Sequence, residues 1–177
     1  MAIAKYKGRQ VVRCGGKKVT PYLKKQFNYF KGCKKVLDLG CGEGRNSRFL
    51  QEQGILTHPF DMCPDYGQEW SALEWIPVPD KSMDGVLLNY ILMFLNDAEL
   101  ENVAREVCRV TKPGSVIMVE LDLVKSSRVK TAEHAAKLKR KFLKLMGTHT
   151  SEPWDVQHDT KLRFILKKRD MLARYTA

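Results

Sequence analysis

Hydrophobic and polar positions alternate along the chain in two periods. Short apolar runs at Val36–Leu39, Ile55–Phe60, Asp84–Leu88 and Ser115–Leu121 have the length of buried strands. Between them the spacing is helical. Thr20-Pro21 opens one helix, since Thr caps free amides and Pro suits the first helical position. Tyr22, Leu23, Gln26, Phe27 and Phe30 recur at helical spacing, and Gly32 stops it. A second helix spans about Arg45–Gln53 before Gly54. Asn96 and Glu99 have capping-box spacing ahead of Leu100, Val103, Ala104, Val107 and Cys108. Thr131 caps a fourth helix with Ala135, Leu138, Phe142 and Leu145 inward and Lys137, Arg140, Lys141 and Lys144 outward. Leu162–Leu166 and Met171–Tyr175 read as closing strands, and residues 1–19 as a loosely attached arm. Met62–Pro79, with three prolines and two tryptophans, shows only a short helix near Gln68–Leu73. Strands alternating with helices predict an α/β domain, its mostly parallel sheet covered on both faces.

At 177 residues the chain is the size of one domain, divided here into a basic arm and helix (1–35), a core (36–124) and a closing helix with strands (125–177). Charge follows the same division. Residues 1–35 hold eleven Lys/Arg and no acid, residues 36–124 six basic and fifteen acidic residues, and residues 125–177 fourteen basic and five acidic. Two basic ends allow a nucleic-acid partner, and solubility explains them equally well. Val86–Leu95 and Val116–Val124, the most apolar stretches, are too short to span a membrane. Together with the polar N-terminus this predicts a soluble, cytoplasmic protein without a membrane partner. The five cysteines form no CxxC pair and the four histidines no ligand pattern, so neither a disulfide framework nor a metal site is expected.

The strongest local signal is Val36-Leu37-Asp38-Leu39-Gly40-Cys41-Gly42-Glu43-Gly44. Three glycines between a strand and a helix let backbone approach a ligand closely. A dinucleotide fingerprint needs glycine at position 45, where this chain has Arg45. Asp38 can accept from loop amides or a ligand amine. Asp61, at the end of the second strand, stands where a carboxylate accepts both hydroxyls of a ribose.

These residues resemble the first and second motifs of the Rossmann-like, class I S-adenosylmethionine-dependent methyltransferases. Ile76-Pro77-Val78-Pro79-Asp80-Lys81-Ser82-Met83-Asp84 and Val110-Thr111-Lys112-Pro113-Gly114-Ser115 are similar to two later ones. Gly44-Arg45-Asn46-Ser47, Ile91–Leu95 and the ending around Lys161–Phe164 and Met171–Arg174 look like the tellurite-resistance subtype. The resemblance implies a three-layer sandwich whose sheet ends in an antiparallel strand, with S-adenosylmethionine as cofactor. It sets Gly40, Cys41, Gly42 and Gly44 beneath the cofactor, Asp38 at the loop or the methionyl amine, Asp61 at the ribose and Met62 at the adenine. Arg45 and Asn46 either start the helix or contact the methionine carboxylate or acceptor. The family's third strand usually ends in an acid near the adenine amine, yet only fifteen residues separate Asp61 from Pro77. Glu74, with Trp75 as a stacking surface, is the nearest candidate. Asn89-Tyr90 stands where the family faces the departing methyl group, and His158 with Asp159 is the candidate base. The implied reaction is transfer to a small electron-rich acceptor such as tellurite, selenium species or a thiol. The alternatives are an RNA or other nucleic-acid methyltransferase, and a degenerate cofactor-binding or interaction protein.

Overall fold

The computed structural model describes residues 17–125 and 127–171, together with the backbone of 2–6 and 9–13. The last two segments form an antiparallel pair, β1 (Ala2–Tyr6) and β2 (Arg9–Arg13), where the sequence suggested a loosely attached arm. The predicted strand at Met171–Tyr175 lies, beyond its first residue, outside the described residues.

Seven strands make the main sheet: β3 (Lys35–Leu39), β4 (Leu56–Asp61), β5 (Gln68–Glu69), β6 (Met83–Asn89), β7 (Thr111–Glu120), β8 (Trp154–Asp159) and β9 (Arg163–Lys168). Their order is β5-β4-β3-β6-β7-β9-β8, with β3 to β7 parallel and β9 antiparallel to both its neighbours, β7 and β8. The antiparallel ending follows from connection length. Three residues join β8 to β9, enough for a hairpin and far too few for a parallel crossover.

Residues of β3, β6, β7 and β9 alternate between the two faces. Leu37, Leu39, Val86, Leu88, Ile117, Val119, Phe164 and Leu166 bury against α3 (Asp97–Val110) and α4 (Ala132–Thr148). Val36, Leu87, Val116, Met118 and Ile165 bury on the other face, against Tyr22, Leu23, Phe30 and Leu50. Leu50 lies on α2 (Arg45–Glu52). The predicted first helix is split into α1 (Pro21–Lys25) and a 3-10 turn (Phe27–Phe30). The break brings Phe30 onto the sheet, where a Cβ at Gly85 would stand 3.1 Å from its ring.

Between β4 and β6 the structure differs from the predicted helix. Gln68-Glu69 instead makes a two-residue parallel strand beside Phe60-Asp61. It stands where the resemblance places a third strand, in minimal form. The chain returns to the sheet so early because Gly67 passes close to β4. A Cβ there would lie 2.8 Å from the Pro59 carbonyl and 2.9 Å from the Cys41 sulfur.

Candidate functional site

Strand order reverses between β3 and β6, the place where parallel α/β sheets leave a crevice at their C-terminal ends. A cavity of about 500 Å³ lies there, within the ~300–1,000 Å³ of ordinary small-molecule sites. Asp38, Gly40, Cys41, Gly42, Glu43, Arg45 and Asn46 line it from the glycine turn, and Asp61, Met62 and Tyr66 from the end of β4 and the loop after it. Trp70 and Ala72 follow β5, and Asn89, Tyr90, Ile91, Phe94, Leu95, Asn96 and Glu99 complete the wall beyond β6.

The turn has its shape because Gly40, Gly42 and Gly44 hold φ of 68°, 53° and 72°. At Gly40 the space is also closed, since a Cβ would stand 3.0 Å from Ile91 Cδ1. The open loop is tied to β4 by its acid. Asp61 Oδ2 accepts from the Gly42 amide at 2.9 Å and Oδ1 from the Cys63 amide at 2.9 Å. A carboxylate offers about four lone-pair directions, so two remain for a ligand. Asp38 is buried, and its Oδ2 accepts from the Ser47 hydroxyl at 2.6 Å. Burial pushes its carboxyl up to about 6, against the lowering effect of the Ser47 hydrogen bond, and the nearby Asp61 charge raises it further. The Cys41 thiol is pushed well up by burial and by Asp38 and Asp61, so it remains a protonated wall atom.

The wall beyond β6 is organised by a residue the sequence reading did not single out. Glu120, fully buried at the end of β7, accepts from Thr20 Oγ1 at 2.7 Å, Asn89 Nδ2 at 2.9 Å and the Tyr90 hydroxyl at 3.0 Å. Arg163 Nε approaches from β9 at 3.3 Å. Tyr90 adopts φ 62°, a conformation uncommon for a residue with a Cβ. Its hydroxyl is pushed up to about 12, first by burial and then by Glu120. The Arg45 guanidinium stands 5.9 Å from its ring centre. Asn46 is buried and accepts from the Thr20 amide at 3.0 Å, so α1 is pinned to the turn as well as to Glu120. The one sequence signal for Glu120 was an acid closing the apolar run Val116–Val119.

Gly44 caps α2 outside the cavity lining, and Glu74, Trp75 and His158 stand elsewhere too. Glu74 is exposed and outside the cavity lining. Its carboxylate accepts from the Ser71 amide at 3.2 Å, and its carbonyl takes Asn102 Nδ2 at 3.0 Å. Trp75 is 59% exposed beneath the Arg109 guanidinium, 4.5 Å from its ring centre. The shortened strand accounts for both, because the chain reaches the cavity earlier, at Trp70 and Ala72. His158 does not line the cavity either. Its Nδ1 is 2.9 Å from the Tyr22 hydroxyl, behind the Glu120 cluster, and Asp159 beside it is exposed. Among the described residues no cluster of His, Cys, Asp and Glu could hold a metal ion, and no helix is long and apolar enough to cross a membrane.

A mixed sheet of this order, with a glycine cradle and paired acids at its switch point, has the Rossmann-like fold of the class I methyltransferases. Residues 37–119, a little under half of the chain, match the family described as a methyltransferase domain. Malonyl-[acyl-carrier protein] O-methyltransferase of Serratia marcescens is 32% identical over 94 residues, which cover 47% of this chain and 36% of that protein. The chain thus matches little more than a third of that curated relative's length. A SAM-dependent methyltransferase of Archaeoglobus fulgidus superposes with a TM-score of 0.63 at 18% identity, covering 84% of this chain and 91% of its own. The 1,6-didemethyltoxoflavin-N1-methyltransferase of Burkholderia thailandensis, solved with bound 1,6-didemethyltoxoflavin and S-adenosylhomocysteine, gives a TM-score of 0.60 at 16% identity, covering 85% of this chain and 78% of its own.

Proposed function

We propose that this protein is an S-adenosylmethionine-dependent methyltransferase acting on a small acceptor. The observation that carries the reading is the single cavity wall in which Asp38, the glycine turn and Asp61 meet Asn89 and Tyr90. The cofactor fits the donors present. Asp61 keeps free lone pairs for a diol, buried Asp38 suits an ammonium, and the turn at Gly40 and Gly42 admits a ligand against bare backbone. When bound it supplies an electrophilic methyl group.

The chain's own part in transfer is alignment and exclusion of water. Trp70, Ile91, Phe94 and Leu95 supply the apolar surface of the cavity, and Tyr90 with Asn89 closes the side beyond β6. Tyr90 and Cys41 are both held protonated, so neither serves as a base. The acceptor supplies the lone pair that takes the methyl group, and a proton it sheds passes to a carboxylate of the lining.

The motifs that resemble the tellurite-resistance subtype point to tellurite, selenium species or a thiol, while the Serratia relative by its name methylates an oxygen of malonyl-acyl carrier protein. A methyl-transfer screen across tellurite, selenite, thiols, amines, hydroxyl compounds and RNA tests the acceptor. Transfer to a small compound is the expected result. Transfer to RNA alone would instead assign the catalytic partner to the basic ends.

A further inference from the structure

Between Glu69 and Met83 the chain forms neither helix nor strand, yet Trp70 and Ala72 of this segment line the cavity. Backbone polar groups outside regular structure need partners from elsewhere. They find them on one face of α3, where Asn102, Glu106 and Arg109 follow one another at helical spacing. Asn102 Nδ2 donates to the Ala72 carbonyl at 2.9 Å and the Glu74 carbonyl at 3.0 Å. Glu106 Oε2 accepts from the Ile76 amide at 2.9 Å. Arg109 donates to the carbonyls of Ile76 at 2.8 Å and Val78 at 3.0 Å. The Glu74 carbonyl also accepts from Trp70 Nε1 at 3.3 Å, so one oxygen joins Asn102 to the indole of a lining residue. Asn102 is buried outside the lining, and its Oδ1 accepts from Arg105 Nη2, so both ends of its amide are oriented. Strand β5 cannot do this work. It pairs with β4 over two residues, and the last bond to β4 is from the Trp70 amide to the Asp61 carbonyl at 2.9 Å.

The cavity runs across four strand ends in the order β5, β4, β3 and β6. On the methyltransferase reading, the ribose sits at Asp61 on β4, and the amino acid and methyl group lie over the glycine turn and Asn89, at β3 and β6. The base is then left at the end of β5, beside Met62, Trp70 and Ala72. We infer that Asn102 is a positioning residue for this wall. It meets no ligand itself, and it holds the Ala72 and Glu74 backbone so that Trp70 and Ala72 present a fixed surface to a purine base. The inference rests on the methyltransferase reading and assigns the base end of that same site.

The test is calorimetric binding of two nucleosides to the full chain: S-adenosylhomocysteine, and 5′-methylthioadenosine, which keeps base and ribose and lacks the amino acid. Asn102→Ala removes the amide. Asn102→Asp keeps its size and the bond from Arg105, and as a carboxylate has no hydrogen to donate. Each variant should weaken both nucleosides by about three- to tenfold, the worth of one neutral hydrogen bond. Thermal melts show which variants are folded, and the isosteric Asn102→Asp decides the matter if Asn102→Ala is not. Val107→Ala, in the core face of the same helix, is the structural control. It should lower the melting temperature and leave both affinities unchanged. An equal loss in Val107→Ala would make the role of Asn102 merely structural, and Asn102 variants that bind like the wild type would remove that role. A loss confined to S-adenosylhomocysteine, or a wild type that binds it and not 5′-methylthioadenosine, would put recognition in the amino-acid half and overturn the inference. Each of these results leaves the methyltransferase reading intact. Failure of the wild type to bind either nucleoside would overturn that reading itself.

Discussion

Asp38 carries the clearest consequence at the scale of one residue. Its carboxyl titrates at about 6 in the folded protein, against about 3.9 in an unfolded chain. The folded state therefore binds the proton more tightly, and stability falls as pH rises from about 4 through about 6. Asp38→Asn should flatten that segment of a urea-denaturation series against pH. The cofactor's cationic groups favour the ionised form, so cofactor affinity should run the opposite way, rising across the same interval in the wild type and losing that rise in the variant. Titration calorimetry at pH 5 and pH 7.5 reads it. Gly40→Ala imposes both a disfavoured φ of 68° and an approach of 3.0 Å to Ile91. We expect a loss of about 1–3 kcal/mol in stability and a larger relative loss in S-adenosylhomocysteine binding.

Caps and breaks decide how well each element could be read in advance. The box at α3 is formed as its spacing implied, with Asn96 Oδ1 accepting from the Glu99 amide and Glu99 returning to the Asn96 amide. Asn96→Ala should cost about 1 kcal/mol in a denaturant titration. Strands β3, β4, β6, β7 and β9 and three of the helices were legible because each buries a continuous face, and burial imposes a period on the sequence. A two-residue strand imposes none, which is why β5 was read as a helix and its wall residues were sought at Glu74 and Trp75 rather than Trp70 and Ala72. The glycine turn and Asp61 were legible because motif and strand end coincide there. Glu120 was not, since its partners lie 100, 31, 30 and 43 residues away and no local pattern links them.

Over the whole molecule, the uneven charge acquires a place. The acidic core carries the cavity, and the basic segments supply the covering α1 and α4 with its exposed Lys137, Arg140 and Lys144. A ligand that binds only the folded state stabilises it by mass action, by about 2.7 kcal/mol at a hundred times its Kd. S-adenosylhomocysteine should therefore raise the melting temperature of the wild type. Asp61→Ala should lose most of that rise, because the residue both meets the ligand and ties the loop at Gly42. An Asp61→Ala protein that melts normally and shows the full ligand shift would remove Asp61 from the site.

The bonds that converge on Glu120 also order events in time. Thr20 leaves the ribosome a hundred residues before the carboxylate it will hold, and Arg163 emerges 43 residues after it. The glycine turn and Asp61 can be paired on β3 and β4 long before that. At ~5–20 residues per second the interval is seconds, ample for local folding. The nascent chain thus has the cradle first and the wall beyond β6 later, and that wall is complete only when Arg163 of β9 arrives.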